Sequence, residues 1–241
     1  MNSRRAALEA VADHIATHLV RGESHRTQDL ALYRTGAPTN ELNGVVWFSG
    51  ATAETGVRGV IDRFAPTPFL WNAWPELNHG RDEAAFRAAG LEFQEEEPLM
   101  AMQLSSPPPG GTEVVTDVSG SNRIHDWLRV WIGNPELPDM PDMAAALRLA
   151  GAAARYLLLY SDGVPASCVA VFVAGQVGAV EHVVTRSELR GRGLGTTATV
   201  AALQHAHAMG ARRAVLTASP DGERIYRRLG FERVTRIRRY A

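Results

Sequence analysis

The chain has 241 residues, room for one large domain or two small ones at roughly 100–200 residues each. Its 45% hydrophobic and 21% charged residues match a soluble globular protein and exclude a disordered chain. Cys168 is the single cysteine, so no internal disulfide exists, and the sequence has neither an apolar signal core nor a run of about 18 apolar residues; a cytoplasmic protein that does not cross a membrane is expected, and the net charge of −1 gives no bulk attraction for nucleic acid.

Taken in chain order, residues 5–20 read as an amphipathic helix that packs on the strand and helix unit after it. Its His14 and His18 have the i, i+4 spacing of metal ligands, but no HExxH pattern and no third ligand accompany them in the sequence, and no metal is expected. Strand 44–49, helix 53–64, strand 69–74 and helix 81–89 come next. The acidic run Glu95, Glu96, Glu97 reads as a solvated face from which one carboxylate could attract a cationic amine. Residues 105–111 (SSPPPGG) lack amide donors at three prolines and end in two glycines, which neither a helix nor a central strand passes through. A boundary is therefore placed there, with a domain at 1–105, a linker at 106–111 and a second domain at 112–241.

In the second domain the segment 123–133 (RIHDWLRVWIG) is helical, with Trp127 and Trp131 at i, i+4. It is expected to line the acceptor side of a site. Strands 156–160, 166–173 and 177–185 are joined by short turns and so form an antiparallel meander. An Ala-rich helix over 196–209 then crosses to a buried strand at 214–218, parallel to 177–185. Ser219 followed by Pro220 reads as a helix start, Gly230 as its stop, and a last strand occupies 233–239.

Two segments match each other. Phe86-Arg-Ala-Ala-Gly90-Leu91 and Tyr226-Arg-Arg-Leu-Gly230-Phe231 agree in residue type and spacing at an offset of 140, and the elements before each come in the same order. The first copy lacks a glycine-rich loop, since Gly50-Ala-Thr-Ala53 stands where 190–195 stands in the second, and it carries Phe86 in place of Tyr226. That half is expected to be inactive.

The loop Arg190-Gly191-Arg192-Gly193-Leu194-Gly195 lies between a strand and a helix start. Unpaired amides, the positive end of the helix dipole and close backbone approach at glycine make this an anion site. It is not a nucleoside triphosphate loop, because no Gly-Lys-Ser/Thr ends it, and the G-x-G-x-x-G spacing is absent. Residues 181–241 carry 12 Arg against 5 Asp+Glu, which suits that quarter to an anionic ligand. The chain has no lysine.

With the loop at 190–195, the strand ending Val183-Val184-Thr185 and the Tyr226-x-x-x-Gly230-Phe231 pattern, the sequence resembles the GCN5-related N-acetyltransferase (GNAT) family over about 112–241. The resemblance implies an α/β mixed sheet and two tandem acyl-CoA N-acyltransferase folds, the C-terminal one complete and the N-terminal one degenerate. It implies that amides of Gly191, Arg192, Gly193, Leu194, Gly195 and Thr196, with Arg190, hold the pyrophosphate of acetyl-CoA, and that the backbone of Val183, Val184 and Thr185 pairs with the pantetheine arm. It also implies that Tyr226 sets its hydroxyl beside the sulfur as a general acid. Ser219 stands where the family often has an Asn that contacts the cofactor, which puts carboxamide contacts there in doubt.

The amine must lose a proton, and Glu181 and His182, adjacent on one strand, would point to opposite faces so that one alone views the site. Glu181 is favoured; a water chain is the competing route. Cys168, in an apolar strand, reads as inert core, and no Gly-x-Ser-x-Gly elbow exists. The expected activity is direct acetyl transfer from acetyl-CoA to a primary amine of a small molecule or peptide; the alternative is a catalytically silent acyl-CoA-binding protein. Whether the chain forms a homodimer is left open.

Overall fold

Alternation and β-branched runs place seven of the eleven described strands where they are expected, and leave those at Glu23–Arg26, Leu30–Arg34, Phe93–Gln103 and Val115–Asp117 unforeseen, in the computed structural model, which describes residues 3–50, 54–78, 83–110, 115–133 and 138–241. Residues 51–53 of the first copy's loop, the start of the helix expected at 81–89, and 111–114 after the prolines lie outside these. The chain divides into two units. One holds 1–101 and 217–241, the other 102–216.

The first unit contains α1 (Ser3–Leu19), β1 (Glu23–Arg26), β2 (Leu30–Arg34), β3 (Gly44–Phe48), α2 (Glu54–Ile61), β4 (Leu70–Ala73), α3 (Pro75–Asn78), α4 (Glu83–Ala88) and most of β5 (Phe93–Gln103). Here β1, β2 and β3 pair antiparallel and β3 pairs parallel with β4. In the second unit lie β6 (Val115–Asp117), α5 (Ile124–Ile132), α6 (Met140–Arg148), β7 (Ala154–Ser161), β8 (Val164–Ala174), β9 (Val177–Thr185), α7 (Leu194–Ala208) and most of β10 (Arg213–Thr217). The order β10-β9-β8-β7-β6 is antiparallel except for the parallel pair β9–β10. The α/β mixed sheet is thus as expected.

After β10 come α8 (Pro220–Arg228) and β11 (Glu232–Tyr240). Sequence order groups these with 112–241, whereas β11 lies between β4 and β5 and pairs antiparallel with both. Its register explains the acidic run. Arg238 stands opposite Glu96 and Arg239 opposite Glu95; Arg239 Nη1 bonds Glu95 at 2.5 Å and Glu97 at 2.6 Å, and Arg238 Nε bonds Glu96 at 2.6 Å. Glu95 is exposed as a solvated face requires, but no carboxylate of Glu95–Glu97 awaits a cationic amine, because cross-strand arginines neutralise all three.

The repeated segments adopt one backbone. Leu91 N–H donates to Phe86 C=O at 2.9 Å and Phe231 N–H to Tyr226 C=O at 3.0 Å, across glycines with φ of +91° and +97°, a left-handed stop that glycine adopts without Cβ strain. Phe86 is buried in the core of the first unit with Val45, Phe64, Trp71 and Tyr240.

Helix α1 departs from its expected apolar face. Its buried stripe begins with Ala7, Ala10 and Val11 but continues with His14, Thr17 and His18, and Arg21 just beyond the helix is buried too. The imidazoles lie 4.0 Å apart, centroid to centroid. His14 meets the Trp74 ring edge-on at 5.3 Å; His18 meets Tyr33 at 5.4 Å, with the Arg21 guanidinium 5.8 Å from that ring. Burial first, and then the Arg21 charge, holds both histidines well below the usual imidazole pKa.

Candidate functional site

Strand β9 loses regular pairing on both sides in its C-terminal half. Towards β8 the ladder slips between Cys168 and Ala170, so His182 and Val183 together oppose Val169. This is a β-bulge. His182 takes a φ of +54°, and the Val169 carbonyl, without a register partner on β9, accepts Trp127 Nε1–H at 3.0 Å. Towards β10 the ladder runs only from Val177 opposite Arg213 to Ala179 opposite Val215. Beyond Ala179 the strands part.

Helices α5 and α7 cover opposite faces here. Tyr156, Ala170 and Glu181 stand in line across β7, β8 and β9, and the Tyr156 ring meets Trp127 of α5 at 5.2 Å. Gly178 and Val173 are paired on the other face, where a Cβ on Gly178 would lie 2.8 Å from Cβ of Ala206 in α7. Glu181 is therefore on the α5 side. So is His182, whose ring lies 4.4 Å from Trp131 and 6.0 Å from Trp127. The opposite-face expectation for these two residues fails, because the bulge breaks the period-two alternation on which it rests.

Past Thr185 the chain makes a short turn at Ser187–Leu189, and Arg190 Nε–H donates to the Thr185 carbonyl at 3.3 Å. Gly191 and Gly193 then take φ of +76° and +82°. No atom crowds either Cα, so the backbone angle and not packing asks for glycine. Gly193 is the N-cap of α7 and no side chain caps that helix, so its first-turn amides are not satisfied by a side chain. Residues 190–193 are exposed, while Val183, Val184, Thr185, Leu194 and Gly195 are half-buried and Thr196 is exposed.

A groove of about 600 Å³ opens beside the loop, with Asp126, Arg129 and Trp131 of α5 on one wall and Val184, Thr185 and Arg190 on the other. Segment 123–133 does contribute a wall, though its two tryptophans divide the work. Trp127 is fully buried core; Trp131, half-buried, reaches the groove.

Ser219 and Tyr226 belong to the first unit. Ser219 Oγ is the N-cap of α8 and accepts the Gly222 N–H at 3.2 Å. Tyr226 is 8% exposed, its ring lies 6.1 Å from that of Phe231, and a Cβ on Gly222 would stand 2.9 Å from it. Of the arginines after residue 181, Arg186, Arg227, Arg233, Arg236, Arg238 and Arg239 are bonded to carboxylates. The charge excess of that quarter is thus smaller than composition suggests. Cys168 is fully buried, and burial pushes its thiol pKa up, as inert core requires. No described helix is long and apolar enough to cross a membrane.

Residues 121–231 match the model of the acetyltransferase (GNAT) family. A comparison with curated proteins finds no match. Among solved structures, a GCN5-related N-acetyltransferase from Kribbella flavida is similar at 22% identity and a TM-score of 0.67, over 98% of this chain and 94% of that one. A putative GNAT acetyltransferase from Novosphingobium aromaticivorans is similar at 16% and 0.60, over 90% and 89%. A tandem GNAT protein from the clavulanic acid biosynthesis pathway aligns at 16% and 0.54, over 89% and 80%. At these identities the likeness is one of fold.

Proposed function

We propose that the C-terminal part of the chain, whose residues 121–231 match the GNAT acetyltransferase family model, transfers the acetyl group of acetyl-CoA directly to a primary amine. One observation carries the reading: β9 and β10 part beyond Ala179, and the strand left open leads straight into the exposed Gly191–Gly193 turn and the uncapped start of α7. A parted strand offers backbone groups to an extended amide chain as an added strand would. The helix start offers amides and dipole to a pyrophosphate. The residues fit acetyl-CoA as a co-substrate, with Arg190, Gly191, Arg192, Gly193, Leu194, Gly195 and Thr196 at the phosphates and Val183, Val184 and Thr185 along the arm.

In this reading a backbone amide of β9 at the bulge stabilises the oxyanion that forms when the amine nitrogen attacks the thioester carbonyl. Glu181 takes the amine proton, directly or through water, with His182 beside it on the same face. By the resemblance, Tyr226 is the residue that would give its proton to the thiolate as the carbon–sulfur bond breaks. Ser219, as the cap of α8, positions the helix that carries Tyr226. No activated nucleophile is needed, and Cys168 supplies none.

A panel of amines mixed with acetyl-CoA, read by release of free thiol, tests the activity. Amine-dependent release is expected; tight acetyl-CoA binding with no release for any amine would favour a silent binding protein.

A further inference from the structure

Resting on the acetyl-transfer reading, we infer that the acceptor is a small primary amine that also carries an anionic group, a carboxylate or a phosphate, docked on Arg129 and Arg186 in the groove between α5 and the end of β9.

The groove holds two carboxylates and three guanidinium groups. Both carboxylates are committed: Asp126 is bonded by Arg129 Nη1 at 2.7 Å and Glu188 by Arg186 Nη2 at 2.7 Å. A substrate with a second cationic group, such as a diamine or a basic peptide, finds no acid there that an arginine does not already hold. The arginines are not exhausted in the same way. Each guanidinium has five donors, and Arg129 uses one on Asp126, which leaves a fork suited to a carboxylate or phosphate oxygen pair.

The groove also gives the acceptor a direction. Trp131 is common to its wall and to the contact with His182, 4.4 Å away. An anion held at Arg129 and Arg186 therefore leaves the amine facing Trp131 and the bulge, where Glu181 and His182 of β9 stand. About 600 Å³ accommodates a metabolite-sized molecule and not a folded partner.

The test uses matched amines with the full-length protein and acetyl-CoA: an α-amino acid against its amide, 2-aminoethyl phosphate against ethanolamine, and putrescine as the dicationic case. The anionic member of at least one pair is expected to exceed its neutral partner about tenfold or more in kcat/KM, with putrescine poorest; which pair responds tells carboxylate from phosphate. In Arg129→Gln/Arg186→Gln that preference should vanish through the acceptor KM, while the KM for acetyl-CoA holds. Neutral amines or putrescine acetylated as well as the anionic ones would overturn the proposal. So would calorimetric acetyl-CoA binding with no turnover of any member, whereas an absence of acetyl-CoA binding would instead remove the acetyl-transfer reading beneath it.

Discussion

The indole Nε1–H of Trp74 donates to the carbonyl of Val46 at 2.9 Å, and the side chain is fully buried. The pairing of β3 with β4 stops at Val45 opposite Trp71, as that of β9 with β10 stops at Ala179 opposite Val215. Each unit thus has a parallel pair that parts after a few residues. In the first unit a tryptophan closes the gap and satisfies the first carbonyl beyond the ladder, which is the group an extended ligand would need.

Trp74→Phe removes this donor and part of the filling volume. It should cost about 2–4 kcal/mol of folding stability, from a buried carbonyl deprived of its donor and a residual cavity. Denaturant unfolding measures this. A change within a few tenths of a kcal/mol would show that the indole bond is not structural.

Tyr226→Phe should lower the acetylation rate more than it weakens acetyl-CoA binding, since protonation of a thiolate matters in the transition state and hardly in the ground state. General-acid assistance is worth ~10²–10⁴-fold, with the lower end expected for a thiol leaving group. Folding should survive, because Phe86 occupies the matching helix position with the same backbone turn. Unchanged turnover at neutral pH would reduce Tyr226 to a packing residue.

His14 and His18 fold in the neutral form, their pKa values depressed by burial and then by Arg21. A depressed histidine means that the unfolded chain binds protons which the folded chain does not, so stability falls as pH drops below the ~6.5 of a free imidazole. The slope can approach about 2.7 kcal/mol per pH unit when both rings contribute. His14→Phe/His18→Gln should flatten the profile between pH 6.5 and 5. An equally steep loss in that variant would place the acid sensitivity elsewhere.

Cys168 should resist thiol reagents in the native protein and react on unfolding, because it is fully buried and its thiolate is disfavoured by burial. Rapid labelling under native conditions would contradict its place in the core.

Much of the fold was legible in the sequence because it is local. Hairpins, the βαβ crossover, the Ser219 cap and the Gly90 and Gly230 stops each arise from a few adjacent residues whose backbone preferences act at short range. The bulge at His182 was not, since an extra residue in a ladder is defined only against the partner strand. For the same reason the pairing of β11 with β4 and β5, and with it the neutralisation of Glu95–Glu97 by Arg236, Arg238 and Arg239, could not be read from composition. Trp127 and Trp74 carried a faint signal: each is a tryptophan close to strands with irregular ends, and such a buried indole needs an acceptor.

Calorimetric titration with acetyl-CoA bears most directly on the acetyl-transfer site. The glycine turn before α7 has no counterpart in the first copy's sequence, and the gap in that copy is closed by Trp74, so saturation at one acetyl-CoA per chain is expected, with a rise in melting temperature that grows with ligand concentration. Gly193→Val, which forces a β-branched residue to a φ of +82°, should weaken that binding. No heat at millimolar acetyl-CoA, or two equivalent sites per chain, would contradict it.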